Sequence, residues 1–267
     1  MMFFSVVILV LSISFAGAQA EGQAPAGGTG SEGMVPSKLI DGALPTDDPS
    51  SPRWEEAPVV EFSMSPQVHW DPRIFSVTVK SLKVRSLQNG QQVAILLEYE
   101  DPTENPGDAA AIEFPVGDKK SHFAHAQEML EVESGQLNIW YWRASKGVSD
   151  MNAKGFGTTA AQPQQNVAGK GVWKDGVWRV VFARDLENSD PDDAQLALGK
   201  FVQIAFAVWD GGNQEVGSMK AVTSWWWFVA EKPADPKIYI YTVLIVMLVG
   251  IIELIVIRRL RRKGQPA

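Results

Sequence analysis

Residues 172–180 read VWKDGVWRV, two short runs of β-branched and aromatic residues meeting at Asp175-Gly176. A type I′ turn needs positive φ at both central residues, and Asp-Gly supplies them at low cost, so this segment reads as a β-hairpin. The pattern continues outward in both directions. From Trp54 onward, short apolar runs rich in Val, Ile, Phe, Tyr and Trp are separated by Gly, Pro, Asn and Asp, with no long helical period before residue 238. The predicted strands are 73–82, 93–100, 137–143, 177–183, 201–209 and 225–229, and Asn89-Gly90 marks a second hairpin. Such spacing predicts a mainly β fold, an antiparallel β-sandwich. The stretches 101–136 and 145–169 would be loops at its ends, where sites tend to be built.

The ends of the chain read differently. Residues 1–20, MMFFSVVILVLSISFAGAQA, are an apolar run closing on Ala18-Gln19-Ala20, the pattern of a secretory signal peptide. Residues 21–50, rich in Gly, Pro, Ser and Ala, read as a flexible linker without core residues, leading into a domain at 51–232. Residues 238–257 are apolar except for Glu253, long enough at 1.5 Å per residue to cross roughly 30 Å of hydrocarbon. Glu253 sits about one turn from the basic end and is given no function. The tail 258–267 carries Arg258, Arg259, Arg261, Arg262 and Lys263, which by the positive-inside rule stays in the cytoplasm. The expected arrangement is one C-terminal transmembrane helix with the domain on the periplasmic side.

Of the 24 Lys and Arg, five lie in that tail, and of the 31 Asp and Glu one is Glu253. Residues 21–237 therefore carry 19 basic and 30 acidic side chains, a net charge of −11, which argues against a nucleic-acid partner. The chain has no cysteine. That excludes disulfide frameworks, thiolate-held iron–sulfur clusters and zinc sites, and haem attached through Cys-x-x-Cys-His.

No nucleophile motif, phosphate-cradling glycine loop or close His pair with a third ligand is present. His69, His122 and His125 read as structural or surface residues. Asp101, Glu104 and Asp108 lie in a Pro- and Gly-rich loop that could bind calcium, but without the regular spacing of a dedicated loop, and they read as a solvated acidic turn. Lys220 is the residue that asks for a reason. It stands between Met219 and the run Trp225-Trp226-Trp227, in a segment that otherwise reads as strand, turn and strand. Burial disfavours an ammonium group, and a neutral amine has a lone pair for a metal or a proton. The plain alternative is a lysine that snorkels along its apolar neighbours. Ten tryptophans point either to a stacking platform for sugars or to a large flat cofactor.

Five ordered segments resemble the haem-binding γ subunits of the ethylbenzene-dehydrogenase type, which accompany molybdenum enzymes of the dimethyl sulfoxide reductase family. They are VTVKSLKVRSLQNGQQVAILLEYEDPTEN at 77–105, AAAIEFP at 109–115, LNIWYWRA at 137–144, GVWKDGVWRVVFARDL at 171–186 and FVQIAFAVWDGGNQEVGSMKAVTSWWWF at 201–228. The resemblance implies a β-sandwich holding one haem b with a lysine and a methionine on the iron. The lysine falls on Lys220. The methionine, which precedes the Ile-Trp segment, falls on Met129, with His125, Met151 and Met219 as rivals. Trp140 and Trp225 would be walls of the haem pocket.

The resemblance further implies a non-catalytic electron-transfer subunit. It would relay electrons between the iron–sulfur subunit of a molybdenum oxidoreductase and a c-type cytochrome or a quinone. The C-terminal anchor departs from the soluble members of the family and is associated with nitrite oxidoreductases and nitrate reductases that face the outside; the substrate itself is set by the catalytic subunit. A membrane-anchored carbohydrate-binding module and a cofactor-free anchoring subunit are the alternatives.

Overall fold

The computed structural model of the protein describes residues 33–117, 135–155, 157–233 and 235–263. Alternating side chains drive its strands into two facing sheets. Before the acidic loop at 101–108 come β1 (Met34–Leu39), β2 (Val60–Ser63), β3 (Ser65–Pro66), β4 (Ser81–Gln88) and β5 (Gln92–Glu100). Then follow β6 (Ala109–Pro115), β7 (Leu137–Arg143), β8 (Gly147–Ala153), β9 (Ala160–Ala161), β10 (Ala168–Lys174), β11 (Val177–Asp185), β12 (Phe201–Trp209), β13 (Ala221–Val222) and β14 (Trp226–Ala230). The first sheet runs β10-β11-β5-β4-β1-β14-β12, with β2 also on β4. The second runs β12-β6-β7-β8-β9, with β13 on the other side of β12 and β3 on β13. β12 belongs to both, pairing through Phe201–Ile204 with β14 and through Ala205–Trp209 with β6.

The mainly β expectation holds, but the pairing is mixed: β1 is parallel to both β4 and β14, and every other pair is antiparallel. This corrects the linker expectation for the described part of 21–50. Val35 and Ser37 are buried in the middle of the first sheet, and the Ser86 hydroxyl donates to Ser37 Oγ at 2.8 Å. Ile40 and Leu44 then pack with Trp54 over Leu96 and Val181 on that sheet's outer face.

Between the sheets, Val84, Leu97 and Phe182 from the first meet Ile112, Phe114, Trp140, Trp142 and Phe206 from the second. These positions follow the two-residue period of strands. Three further expectations shift. The 101–136 loop contains β6, and 145–169 contains β8, β9 and the start of β10. Of the strand expected at 73–82, only Ser81 and Leu82 join a ladder, because Val77 and Val79 bury their side chains without backbone pairing. Asp175 and Gly176 have φ of 52° and 80°, the turn expected of them. At the other hairpin only Gly90 has positive φ, and Asn89 instead accepts the N–H groups of Gln91 and Gln92 on its side chain.

At the far end α1 (Pro236–Lys263) begins with proline, which has no N–H to leave unpaired, and the Asp235 side chain accepts from Lys237 N at 2.9 Å. Residues Tyr239–Arg259 are long and apolar enough to cross a membrane, and none of that surface is buried against the domain.

Candidate functional site

The outer face of the second sheet, turned away from the sandwich core, carries a cavity of about 850 Å³. Its floor is a register row that crosses four strands: Ala205 of β12, Glu113 of β6, Ile139 of β7 and Met151 of β8. The next row holds Ala207, Ala111 and Tyr141, so small side chains leave the middle of the sheet low and flat. Its walls come from residues 65–70, from residues 215–218 and from the Thr223–Trp226 crossover.

Lys220 is delivered by the loop DGGNQEVGSMK, which leaves β12 and returns as β13. Local bonds shape that loop: Asp210 N donates to Glu215 Oε2 at 3.1 Å, and Trp209 Nε1 donates to the Gly217 carbonyl at 3.0 Å. The Lys220 carbonyl accepts from Gln67 N at 2.9 Å, and Gln67 Nε2 reaches the Ser218 carbonyl at 3.2 Å. The backbone of Lys220 is thereby fixed against β3. Its ammonium turns into the cavity, 3.9 Å from Glu113 Oε1 and 4.9 Å from the centre of the Trp209 ring. Trp209 in turn meets Tyr141 edge-on at 5.6 Å. Burial pushes the Tyr141 hydroxyl up, partly offset by Arg143, and burial likewise raises the Glu215 carboxyl.

The three consecutive tryptophans go to three places. Trp225 lines the cavity. Trp226 packs against Phe62 at 5.3 Å while also reaching the cavity edge. Trp227 is exposed beside Phe201. Trp140, the other expected wall residue, is not at the cavity. It is fully buried between the sheets, where its Nε1 donates to Asn138 Oδ1 at 3.1 Å and the Arg184 guanidinium stacks 5.1 Å from its ring. Period-two alternation puts Ile139 and Tyr141 on the cavity face and Trp140 on the other.

Met129, His122 and His125 lie outside the described residues. Of the rival donors, Met151 lines the same cavity as Lys220, and Met219 does not. His69 stands at the rim, its backbone N–H donating to Gln67 Oε1. Sequence reasoning missed Glu113, Tyr141 and Trp209, whose signal was the alternation within AAAIEFP, LNIWYWR and FVQIAFAVW. Aromatic walls, with the Lys220 amine and the Met151 thioether lining one space, would suit a large planar group that those donors could hold.

Residues 149–221, the segment that contains both Met151 and Lys220, match the family model described as ethylbenzene dehydrogenase. A Haloferax mediterranei protein named as the heme subunit of a respiratory nitrate reductase is 27% identical over 84% of this chain and 85% of its own. The chlorate reductase subunit gamma of Ideonella dechloratans is 29% identical over 67% of this chain and 79% of its own. The dimethylsulfide dehydrogenase subunit gamma of Rhodovulum sulfidophilum is 26% identical over 70% and 76%. A carbohydrate-binding module of family 9 from Caldicellulosiruptor kristjanssonii aligns at 10% identity and a TM-score of 0.45 over 76% of this chain and 97% of that one, a likeness too distant to bear on the site. The family model across the Met151–Lys220 segment and three relatives that each align over two thirds or more of the chain support the resemblance to γ subunits of the ethylbenzene-dehydrogenase type.

Proposed function

We propose that this chain is the electron-transfer subunit of a membrane-associated molybdenum oxidoreductase and that it holds one haem b in the cavity on the outer face of the second sheet. The observation that carries the reading is Lys220. A fixed backbone sends its side chain into a cavity that Met151 also lines, beside the Trp209 ring. As a ligand the amine would be neutral, and Glu113, 3.9 Å from it, would stand beside the bound group. The second donor is a methionine thioether, a soft ligand suited to a low-spin electron-transfer haem. The family resemblance implies Met129, and among the described residues Met151 lines the cavity. Bound haem supplies one-electron chemistry, and the residues here position it and exclude water. The partners are the catalytic molybdenum subunit and the iron–sulfur subunit of the same complex, with a c-type cytochrome or a quinone as the outside redox partner. The substrate of a nitrate reductase-like or nitrite oxidoreductase-like complex is chosen by the catalytic chain.

Purified full-length protein should give the reduced-minus-oxidised spectrum of haem b, extractable by acid acetone because no thioether bond holds it. Lys220→Ala should give high-spin haem or none while the β circular dichroism survives. Lys220→Arg should fail as well, because a guanidinium has no free lone pair. Loss of the low-spin signature in Met129→Ala or in Met151→Ala then assigns the second ligand. A folded protein that binds no haem but binds glycans would replace this reading with a carbohydrate-binding module.

A further inference from the structure

The loop after β5 reads DPTENPGD and the loop after β12 begins DGGNQE. The two loops meet at one end of the sheets, where Gly107 and Glu215 also border the cavity. Asp101 follows β5 of the first sheet, Asp108 precedes β6 of the second, and Asp210 follows β12. One carboxylate oxygen from each lies within 4.8 Å of the other two, and all three residues are buried. Two glycines allow this approach. A Cβ on Gly107 would sit 2.9 Å from the Gly211 Cα, and one on Gly211 would sit 2.6 Å from the Gly107 Cα. The loops therefore touch backbone to backbone, and Gly211 N donates to Asp108 Oδ1 at 2.8 Å.

Among the described residues, the hydrogen-bond donors to the cluster are neutral. Trp178 Nε1 and Asn105 N reach Asp108 at 3.0 and 2.6 Å, Thr78 Oγ1 and Asn213 N reach Asp210 at 2.5 and 3.1 Å, and Thr103 N reaches Asp101 Oδ1 at 3.1 Å. Among the described residues no Lys, Arg or His forms an ion pair with any of the three. Two orphaned atoms add a separate observation. Asp101 is 1% exposed and its Oδ2 has no partner. Tyr99 is 2% exposed, stands two residues back on the same face of β5, and aims an equally unpartnered hydroxyl at this end of the core. Burial and then the fields of Asp108, Asp101 and Asp210 keep that hydroxyl protonated well above its ordinary range. Burial, only partly offset by the Thr103 N–H, and the neighbouring acids push the Asp101 carboxyl up to about 6.

Three buried carboxylates with no ion-pair partner among the described residues are costly, and their oxygens lie close enough together for one hard cation. Calcium takes six to eight oxygen ligands in flexible geometry, as three carboxylates fixed by separate loops require, whereas magnesium demands near-ideal octahedral geometry. We propose that Asp101, Asp108 and Asp210 bind one calcium ion, with water in the remaining positions and the Tyr99 hydroxyl on a bound water. The ion joins β5 of the first sheet to β6 and β12 of the second. It also fixes the start of the loop that delivers Lys220.

Equilibrium dialysis of the detergent-purified full-length protein against radioactive calcium tests this, after treatment with EGTA. One calcium should be retained per chain, magnesium at equal concentration should not displace it, and calcium should raise the melting temperature saturably. Asp101→Asn, nearly isosteric, should weaken binding by at least about 10- to 100-fold, no less than the loss of an outer-shell partner costs. In EGTA the same variant should melt at or above the wild-type temperature, because it removes repulsion and an orphaned charge. A folded wild type that retains no calcium, displacement by equal magnesium, or unchanged calcium affinity in Asp101→Asn would each overturn the site. If Asp101→Asn does not fold, the wild-type dialysis and its calcium-dependent melting decide the matter alone.

Discussion

Gly171 of β10 has no side chain because Trp142 occupies the space. A Cβ there would sit 2.1 Å from Cζ2 of that indole, which is itself held edge-on against Trp178 at 4.8 Å. Gly171 has an ordinary negative φ, so the requirement is steric. Gly171→Ala should cost about 1–3 kcal/mol, the usual penalty for overpacking a filled core, measured as a lower denaturant midpoint with an unchanged slope. The same scale shows what a residue's identity leaves open. Trp140 and Tyr141 are adjacent aromatics, and only the parity of the strand decides that one stabilises the core and the other faces the cavity. Trp225, Trp226 and Trp227 diverge in the same way, because the chain changes sheets between β13 and β14.

At the scale of elements, β7 and β8 are tied to the 186–196 segment by a buried polar network. Asp150 accepts from Asn138 Nδ2 at 2.7 Å and Gln162 Nε2 at 3.1 Å, and Arg184 pairs with Asp193 at 3.3 Å. Burial and then the Asp193 charge push the Asp150 carboxyl up from 3.8 to about 7. The folded state therefore holds a proton that the unfolded chain releases. The stability this contributes is complete below about pH 4 and is lost as pH rises through about 7. Melting temperature should fall between pH 5 and pH 8, and Asp150→Asn should flatten that slope; an equal slope in both proteins would assign it to other groups. Elements also mark where the sequence misled. β1 carries Pro36 in the middle of a sheet, where proline is rare, and sits in a segment whose composition resembles a linker. β6 is three alanines before Ile112, with none of the β-branched enrichment that signals a strand.

For the whole molecule, the relation between domain and anchor is the main consequence. The apolar surface of α1 packs against nothing in the domain, so a bilayer is the solvent that can cover it. In the topology we propose, the domain lies on the periplasmic side with the basic tail in the cytoplasm. Protease added to cells with an opened outer layer should then remove the domain and leave a small membrane-bound fragment containing residues 238–263. Full protection of the chain would reverse the orientation.

The sequence by itself determined the β class, the Asp175-Gly176 hairpin and the C-terminal apolar helix, because each rests on local chemistry: alternation, turn dihedrals, a long apolar run. Tertiary structure alone decided which face of β7 meets the cavity, that Met151 and Glu113 share a row with Ala205, and that β1 closes the first sheet. It also drew Asp101, Asp108 and Asp210, 7 and 102 residues apart along the chain, into one buried cluster. Spacing in sequence could only read the first two as a solvated turn. Their third partner arrives from another strand, through a backbone contact that two glycines permit.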